Sequence, residues 1–408
     1  RNFLLYQYAT VMLDAYNEVL ELNYTDGLAT NFMFGGAGDY RTVTMPPGWK
    51  DAYQGWSAAG WNAVSLPMQW GGQGLPHAMN AACIEMWNSA SMAFGIGPVL
   101  TMGAAEALAA YGSDDLKQKY LAKLVSGEWM GTMQLTEPQA GSDVGALRTR
   151  AERAPDGSYR IFGSKIFITY GDHDMTDNIV HFVLARFPDA PAGTKGISLF
   201  LIPKFLVNGD GTLGKRNDIH PSGVEHKLGI HASPTCTMQM GDHGGAIGYL
   251  VGQENRGLEY MFIMMNAARY AVGVPGISVA ERSYQKAAQF ARDRVQSRPV
   301  DGSIKTSAPI IHHPDVRRML MTMRAYTEGC RAMATVAAAY GYLGHGADHG
   351  QWAADHTCNL ARGTPILALD MYEHAYAMDF GAKAGDYVDG FMKSIAWGND
   401  DRSFKGLA

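Results

Sequence analysis

Hydrophobic spacing changes character twice along this chain, and that order constrains the fold more than any single motif. Leu4, Leu5, Tyr8, Val11, Met12, Val19 and Leu20 recur at helical spacing. A second helix is marked further on: Ser113 caps it, Asp114 and Asp115 suit its first turn, Leu116, Tyr120, Leu121 and Leu124 form its stripe, and Gly127 ends it. From about Met130 to Val251 the period becomes that of short strands. Two of them flank the turn signal Asp156–Gly157, and others cover Ile179–Phe187 and Gly196–Pro203. Past Gly257 the helical spacing returns. Met261, Met264, Met265, Ala268 and Val272 lead a long helix that Pro275 is expected to kink. Pro314 and Asp315 open another, with Val316, Leu320, Met323, Cys330 and Met333 expected inward. Helices, then strands, then helices, in blocks, predict an α+β protein rather than repeated βαβ units. The expected architecture is an N-terminal helical domain over 1–130, a central β-barrel-like domain over 131–251 and a C-terminal helical bundle over 252–350, short of its last helices. A separate segment, 351–408, follows.

Two stretches need a choice. Asn31 to Pro47 is Gly-rich and aperiodic and reads as a loop. Met86 to Ala105 carries no charge and is about long enough to span a bilayer. It holds Asn88 and Pro98, however, and reads as a buried helix–turn–helix, so no membrane span is expected.

Composition closes several functional classes. The chain has 408 residues, 47% of them hydrophobic and 18% charged, enough apolar material for two or three cored domains. A net charge of −5 argues against a nucleic-acid binder. Cys83, Cys236, Cys330 and Cys358 form no CxxC pair, which excludes a zinc ribbon and fits reduced thiols in the cytoplasm. One glycine fingerprint exists, Gly209-Asp-Gly211-Thr-Leu-Gly214, but the polar Lys215-Arg-Asn-Asp follows it instead of a helix. It reads as a loop between strands, not a phosphate cradle. No P-loop, HExxH helix or Gly-x-Ser-x-Gly elbow is present.

The segment from Met133 to Gly145, Met-Gln-Leu-Thr-Glu-Pro-Gln-Ala-Gly-Ser-Asp-Val-Gly, gathers hydroxyls, a proline turn and glycines at a helix-to-strand boundary. It resembles the signature of the acyl-CoA dehydrogenase family, flavoproteins that oxidise acyl-CoA thioesters. Lys165-Ile-Phe167-Ile-Thr169-Tyr-Gly171, Glu225 to Thr235, Gly252 to Gly257 and Arg269 to Arg298 are similar to further stretches of the same family. The resemblance spans about residues 1–343. The insertion from Pro188 to His231 resembles a long bacterial branch that acts on methylthiopropionyl-CoA and fatty acyl-CoA.

The resemblance implies FAD as cofactor. Met133, Leu135 and Thr136 would line the isoalloxazine, and Phe167 and Thr169 would pack against it and hydrogen-bond to it. Gly141 and Ser142 would meet the flavin pyrophosphate or the CoA portion. Arg294, with Gln296 beside it, would reach the FAD of a neighbouring subunit. The implied reaction is α,β-oxidation to the 2-enoyl-CoA with hydride transfer to flavin N5. An electron-transferring flavoprotein would be the partner, and the assembly a homodimer or homotetramer. The catalytic base stays unassigned. The family's late glutamate segment is not found, and Ala268 stands where a minority of members carry the glutamate.

The end of the chain resembles another family. Thr364 to Tyr376, continuing to Trp397, is similar to the C-terminal metal motif of iron/manganese superoxide dismutases. Asp370 and His374, four residues apart, are the candidate ligands for iron or manganese. His345, His349 and His356 are the available further donors. Two alternatives therefore accompany the dehydrogenase reading: a dismutase-like metal protein through this segment, and a catalytically inactive FAD/acyl-CoA-binding relative.

Overall fold

The computed structural model describes residues 31–34, 41–227 and 229–344. The chain falls into two compact units, 1–338 and 339–408. The first expected helix, before residue 31, lies outside the described residues, as does the segment after 344.

The described part runs helices, sheet, helices, as the two changes of period require. The first block holds α1 (Trp49–Ala58), α2 (His77–Ala90), α3 (Met92–Tyr111) and α4, which covers Asp114–Leu116, a π-wound turn at Lys117–Leu121, and Ala122–Ser126. The caps follow the sequence. The Ser113 hydroxyl accepts from the Leu116 N–H, and Gly127, at φ 78°, ends α4. Tyr120, Leu121 and Leu124 are fully buried, each worth about 1.5–3 kcal/mol against exposure.

The uncharged stretch is indeed a helix–turn–helix. Ser91 breaks the chain between α2 and α3 and caps α3 by accepting from the Phe94 N–H. By length and composition α3 passes for a membrane span, but it is largely buried against its neighbours. The Gly-rich stretch before it corrects the loop expectation: β1 (Asn31–Phe34) pairs antiparallel with β2 (Arg41–Thr44). Backbone hydrogen bonds make this ladder, and they need no apolar alternation.

The sheet contains β3 (Met130–Gln134), β4 (Arg150–Arg153), β5 (Tyr159–Thr169), β6 (Ile179–Arg186), β7 (Ile197–Pro203), β10 (Ile219–Val224), β11 (Thr235–Met240) and β12 (Ala246–Val251). Its order is β10-β11-β5-β12-β7-β6-β3, with β4 beside β5 and β6. A separate hairpin, β8 (Phe205–Val207) and β9 (Leu213–Arg216), is turned by Asn208–Thr212. The glycine fingerprint is that turn, as expected.

Two long helices complete the described fold, α5 (Gly257–Asp293) and α6 (Pro314–Gly344). α5 runs unbroken through Pro275. Its first residue must be small, because a Cβ on Gly257 would lie 2.2 Å from the Leu199 nitrogen on β7. α6 corrects one expectation. Val316, Leu320 and Met323 are half-buried as predicted, but Cys330 and Met333 are exposed. The inward line continues instead through Thr327, Arg331 and Ala334 to Ala338. Arg331 holds an inner position because Glu85 on α2 and Glu281 on α5 both lie 2.7 Å from its Nη2.

Candidate functional site

The central sheet closes on itself where β3 runs out. The Ile166 N–H donates to the Thr136 carbonyl at 2.9 Å, and Lys165 Nζ donates to the Leu135 carbonyl at 2.9 Å. These bonds bring 133–136 beside 165–169, although β3 and β5 do not pair as strands in the sheet. Met133, Leu135, Thr136, Phe167 and Thr169 thereby share one region.

A buried ion pair holds the closure. Glu137 and Lys165 lie 2.8 Å apart, with side chains 3% and 0% exposed. Glu137 Oε1 also accepts from the Thr149 hydroxyl at 2.6 Å and the Thr149 N–H at 3.0 Å. Its Oε2 accepts from the Arg148 N–H at 2.7 Å and Gln139 Nε2 at 2.6 Å. Burial alone would push the carboxyl up. The Lys165 ammonium and these donors overcome it and hold Glu137 down at about 2. Burial lowers Lys165 to about 8 despite its partner, so both groups are charged at neutral pH. Sequence reading missed this pair. Its signal was a lysine followed directly by the apolar run Ile166-Phe167-Ile168 in β5.

Phe167 has a conformation that side-chain residues rarely take, φ 60°. Ile166 and Phe167 together face Thr237 alone, between the register pairs Ile168–Cys236 and Lys165–Met238. The extra residue forms a bulge, and such bulges re-aim side chains. Phe167 is 48% exposed. Thr136, Ser142 and Thr169 have no hydrogen-bond partner for their hydroxyls among the described residues. Gly141 and Ser142 sit exposed at the tip of the following loop, and a Cβ on Gly141 would meet nothing within 4 Å. An aromatic face, open hydroxyls and an unfilled glycine loop suit a planar ring with polar edges and an attached phosphate chain.

Arg294 and Gln296 are together, but elsewhere. Arg294 Nη2 donates to Gln296 Oε1 at 3.0 Å, and both residues are exposed just past the end of α5. A helix of 37 residues is about 55 Å long and carries them far from the end that abuts β7. Ala268 is half-buried on α5. Asp370 and His374, with His345, His349 and His356, lie outside the described residues. Among the described residues no group of three or more His, Cys, Asp or Glu side chains could hold a metal. Cys83 and Cys236 are buried free thiols and Cys330 is an exposed one.

Comparison with known proteins matches this architecture. Models of the acyl-CoA dehydrogenase N-terminal, middle and C-terminal domains match residues 37–128, 132–243 and 255–355. A model of the iron/manganese superoxide dismutase C-terminal domain matches 330–402. The chain is 56% identical over 292 residues to a 3-methylmercaptopropionyl-CoA dehydrogenase of Ruegeria pomeroyi, covering 72% of this chain and 49% of that protein. It is 39% identical over 316 residues to a butyryl-CoA dehydrogenase of Syntrophomonas wolfei, covering 76% and 52%. The chain thus spans about half the length of the curated relatives it matches. It shares the fold of the butyryl-CoA dehydrogenase of Megasphaera elsdenii, with a TM-score of 0.61, 24% identity and 72% of each chain covered. Three consecutive domain models and this helix–sheet–helix fold agree: the chain belongs to the acyl-CoA dehydrogenase family.

Proposed function

We propose that this chain carries the flavin-binding part of an FAD-dependent acyl-CoA dehydrogenase, which oxidises an acyl-CoA thioester to the 2-enoyl-CoA. The observation that carries the reading is the closure of β3 onto β5, which gathers Met133, Leu135, Thr136, Phe167 and Thr169. The relatives named above, dehydrogenases of acyl-CoA thioesters, support it.

FAD, when bound, supplies the acceptor for the β-hydride at its N5. Met133 and Leu135 give the ring an apolar bed, and the Phe167 side chain covers it from β5. The Thr136 and Thr169 hydroxyls hydrogen-bond to its polar edge. Gly141 and Ser142 receive the pyrophosphate or the CoA portion. Arg294, whose guanidinium is fitted to a phosphate pair, and Gln296 reach the FAD of a second copy in a homodimer or homotetramer. The α-proton goes to a carboxylate that α5 does not supply at Ala268. An electron-transferring flavoprotein would be the partner that takes the electrons from bound flavin, in the cytoplasm. The domain division at 130, 251 and 350 is part of the same reading.

The test is the visible spectrum of purified protein loaded with FAD, before and after anaerobic addition of propionyl-, butyryl- and longer acyl-CoA. Flavin bands that bleach support the whole proposal. Bands that persist with every acyl-CoA support the inactive FAD-binding alternative instead. Absence of flavin bands overturns both.

A further inference from the structure

Strand β6 is buried along nearly its whole length, and its sequence, Ile-Val-His-Phe-Val-Leu-Ala-Arg, is apolar but for His181 and its final arginine. His181 pairs with Thr132 in the parallel ladder between β6 and β3. Side chains alternate along β3. Gly131 faces α3, where a Cβ would come within 2.5 Å of the Ala104 Cβ, and Met133 packs into the same core. Thr132 and Gln134 point the other way and meet His181. The Thr132 hydroxyl and Gln134 Nε2 each lie 2.8 Å from His181 Nδ1. All three side chains are essentially inaccessible. With the amide nitrogen donating, Nδ1 accepts and the ring proton sits on Nε2. Burial, with Lys204 and Arg216 nearby, holds the ring uncharged, its pKa down at about 3. The acceptor is therefore preserved across the physiological range. Gln134 Oε1 has no partner, so the amide is anchored through Nε2, which meets the ring at 2.8 Å and the Thr132 hydroxyl at 3.4 Å.

We propose that His181 is a positioning residue for the flavin face of β3. By holding Thr132 and Gln134 on one side, it fixes the rotation at which Met133 and Leu135 present themselves on the other. The inference rests on the flavin-binding reading of that face and adds residues that no part of that reading uses.

The experiment titrates FAD into wild type, His181→Leu, His181→Asn and the double variant Thr132→Val/Gln134→Met, recording affinity and the visible band of the bound flavin. Leu removes the acceptor, whereas the Asn oxygen falls close to the position of Nδ1. His181→Leu is expected to weaken FAD binding about fivefold or more, the equivalent of one lost hydrogen bond, and to shift the band. His181→Asn is expected to return both to within about twofold of wild type. The double variant leaves the histidine in place and serves if the leucine variant does not fold. It should reproduce the loss. Wild-type affinity and an unshifted band in the leucine or double variant would overturn the proposal. A wild-type protein that binds no FAD would instead overturn the flavin reading, and the proposal with it.

Discussion

The two ends of α5 have contrasting surroundings. At the start Gly257 is wedged against β7, where even a methyl group would collide with the Leu199 nitrogen. Nearby, Tyr260, Met261 and Met264 join the core that also takes in α3, α4 and the sheet. At the other end Arg294, Val295 and Gln296 are exposed, held by a bridge between Val295 and Pro309 and by backbone bonds to Ala308 and Ile310. The first end has its geometry imposed from all sides. The second has a defined backbone but side chains that touch little of their own chain. The contrast separates a region whose geometry is fixed within the chain from one whose side chains are only presented. The β3–β5 region is prebuilt by buried polar bonds, whereas the Arg294 end is a presented surface.

The largest effect should come from breaking the prebuilt side. Glu137→Ala strands Lys165 in the core and should cost about 3–5 kcal/mol in urea unfolding. Adding Lys165→Met should recover most of that loss. If the single variant costs no more than the double one, the pair does not hold the closure.

Acid should loosen the same side next. The unfolded histidine takes up its proton near pH 6.5, whereas folded His181 resists it to about pH 3 and folded His173, driven mainly by burial, also stays neutral well below its ordinary range. Stability is therefore complete above about pH 6.5 and falls on acidification. The slope should reach about 1.4 kcal/mol per pH unit for each histidine down to the folded pKa. Replacing His181 with Asn should remove one share of that slope in denaturation measured at several pH values. An unchanged slope would mean that the ring is not held neutral.

Glu106 on α3 should act with the opposite sign. Burial raises it to about 7, so the folded carboxyl keeps a proton that the unfolded one gives up near pH 4.5. Stability is lost as pH rises between those values. Glu106→Gln should gain of the order of 1–2 kcal/mol at pH 8, the shift being discounted for partial exposure, and nothing at pH 4. Equal gains at both pH values would point to packing instead.

The smallest stability change belongs to the presented end. Arg294→Ala should alter unfolding by less than about 0.5 kcal/mol, because the residue is exposed. Its FAD content should nevertheless fall. Undiminished flavin content in the purified variant would remove Arg294 from the site.

Much of this contrast was legible in the residues. Ser113, Gly127, the Asp156–Gly157 turn and Pro314 mark their elements because caps and turns are local chemistry. The β1–β2 pair was not legible, since a ladder made by backbone groups leaves no periodic trace. Cys330 and Met333 misled because apolar character suggested an inner face that Arg331 takes through its ion pairs. At the candidate site the motif from Met133 to Gly145 falls where β3 runs into the contact with β5. Glu137–Lys165 and His181–Thr132–Gln134 stayed hidden because each joins residues distant in sequence, the first through the contact past the end of β3 and the second through the β3–β6 ladder.

The most direct test is an FAD titration of the intact protein at protein concentrations about a hundredfold apart, followed by the visible flavin band. A prebuilt face completed by a second copy predicts that FAD binds with a perturbed band, and more tightly at the higher concentration, where mass action favours assembly. No binding at either concentration would contradict the account at its centre. Equal affinity at both, with Arg294→Ala behaving as wild type, would leave the β3–β5 face intact and refute the role given to the far end of α5.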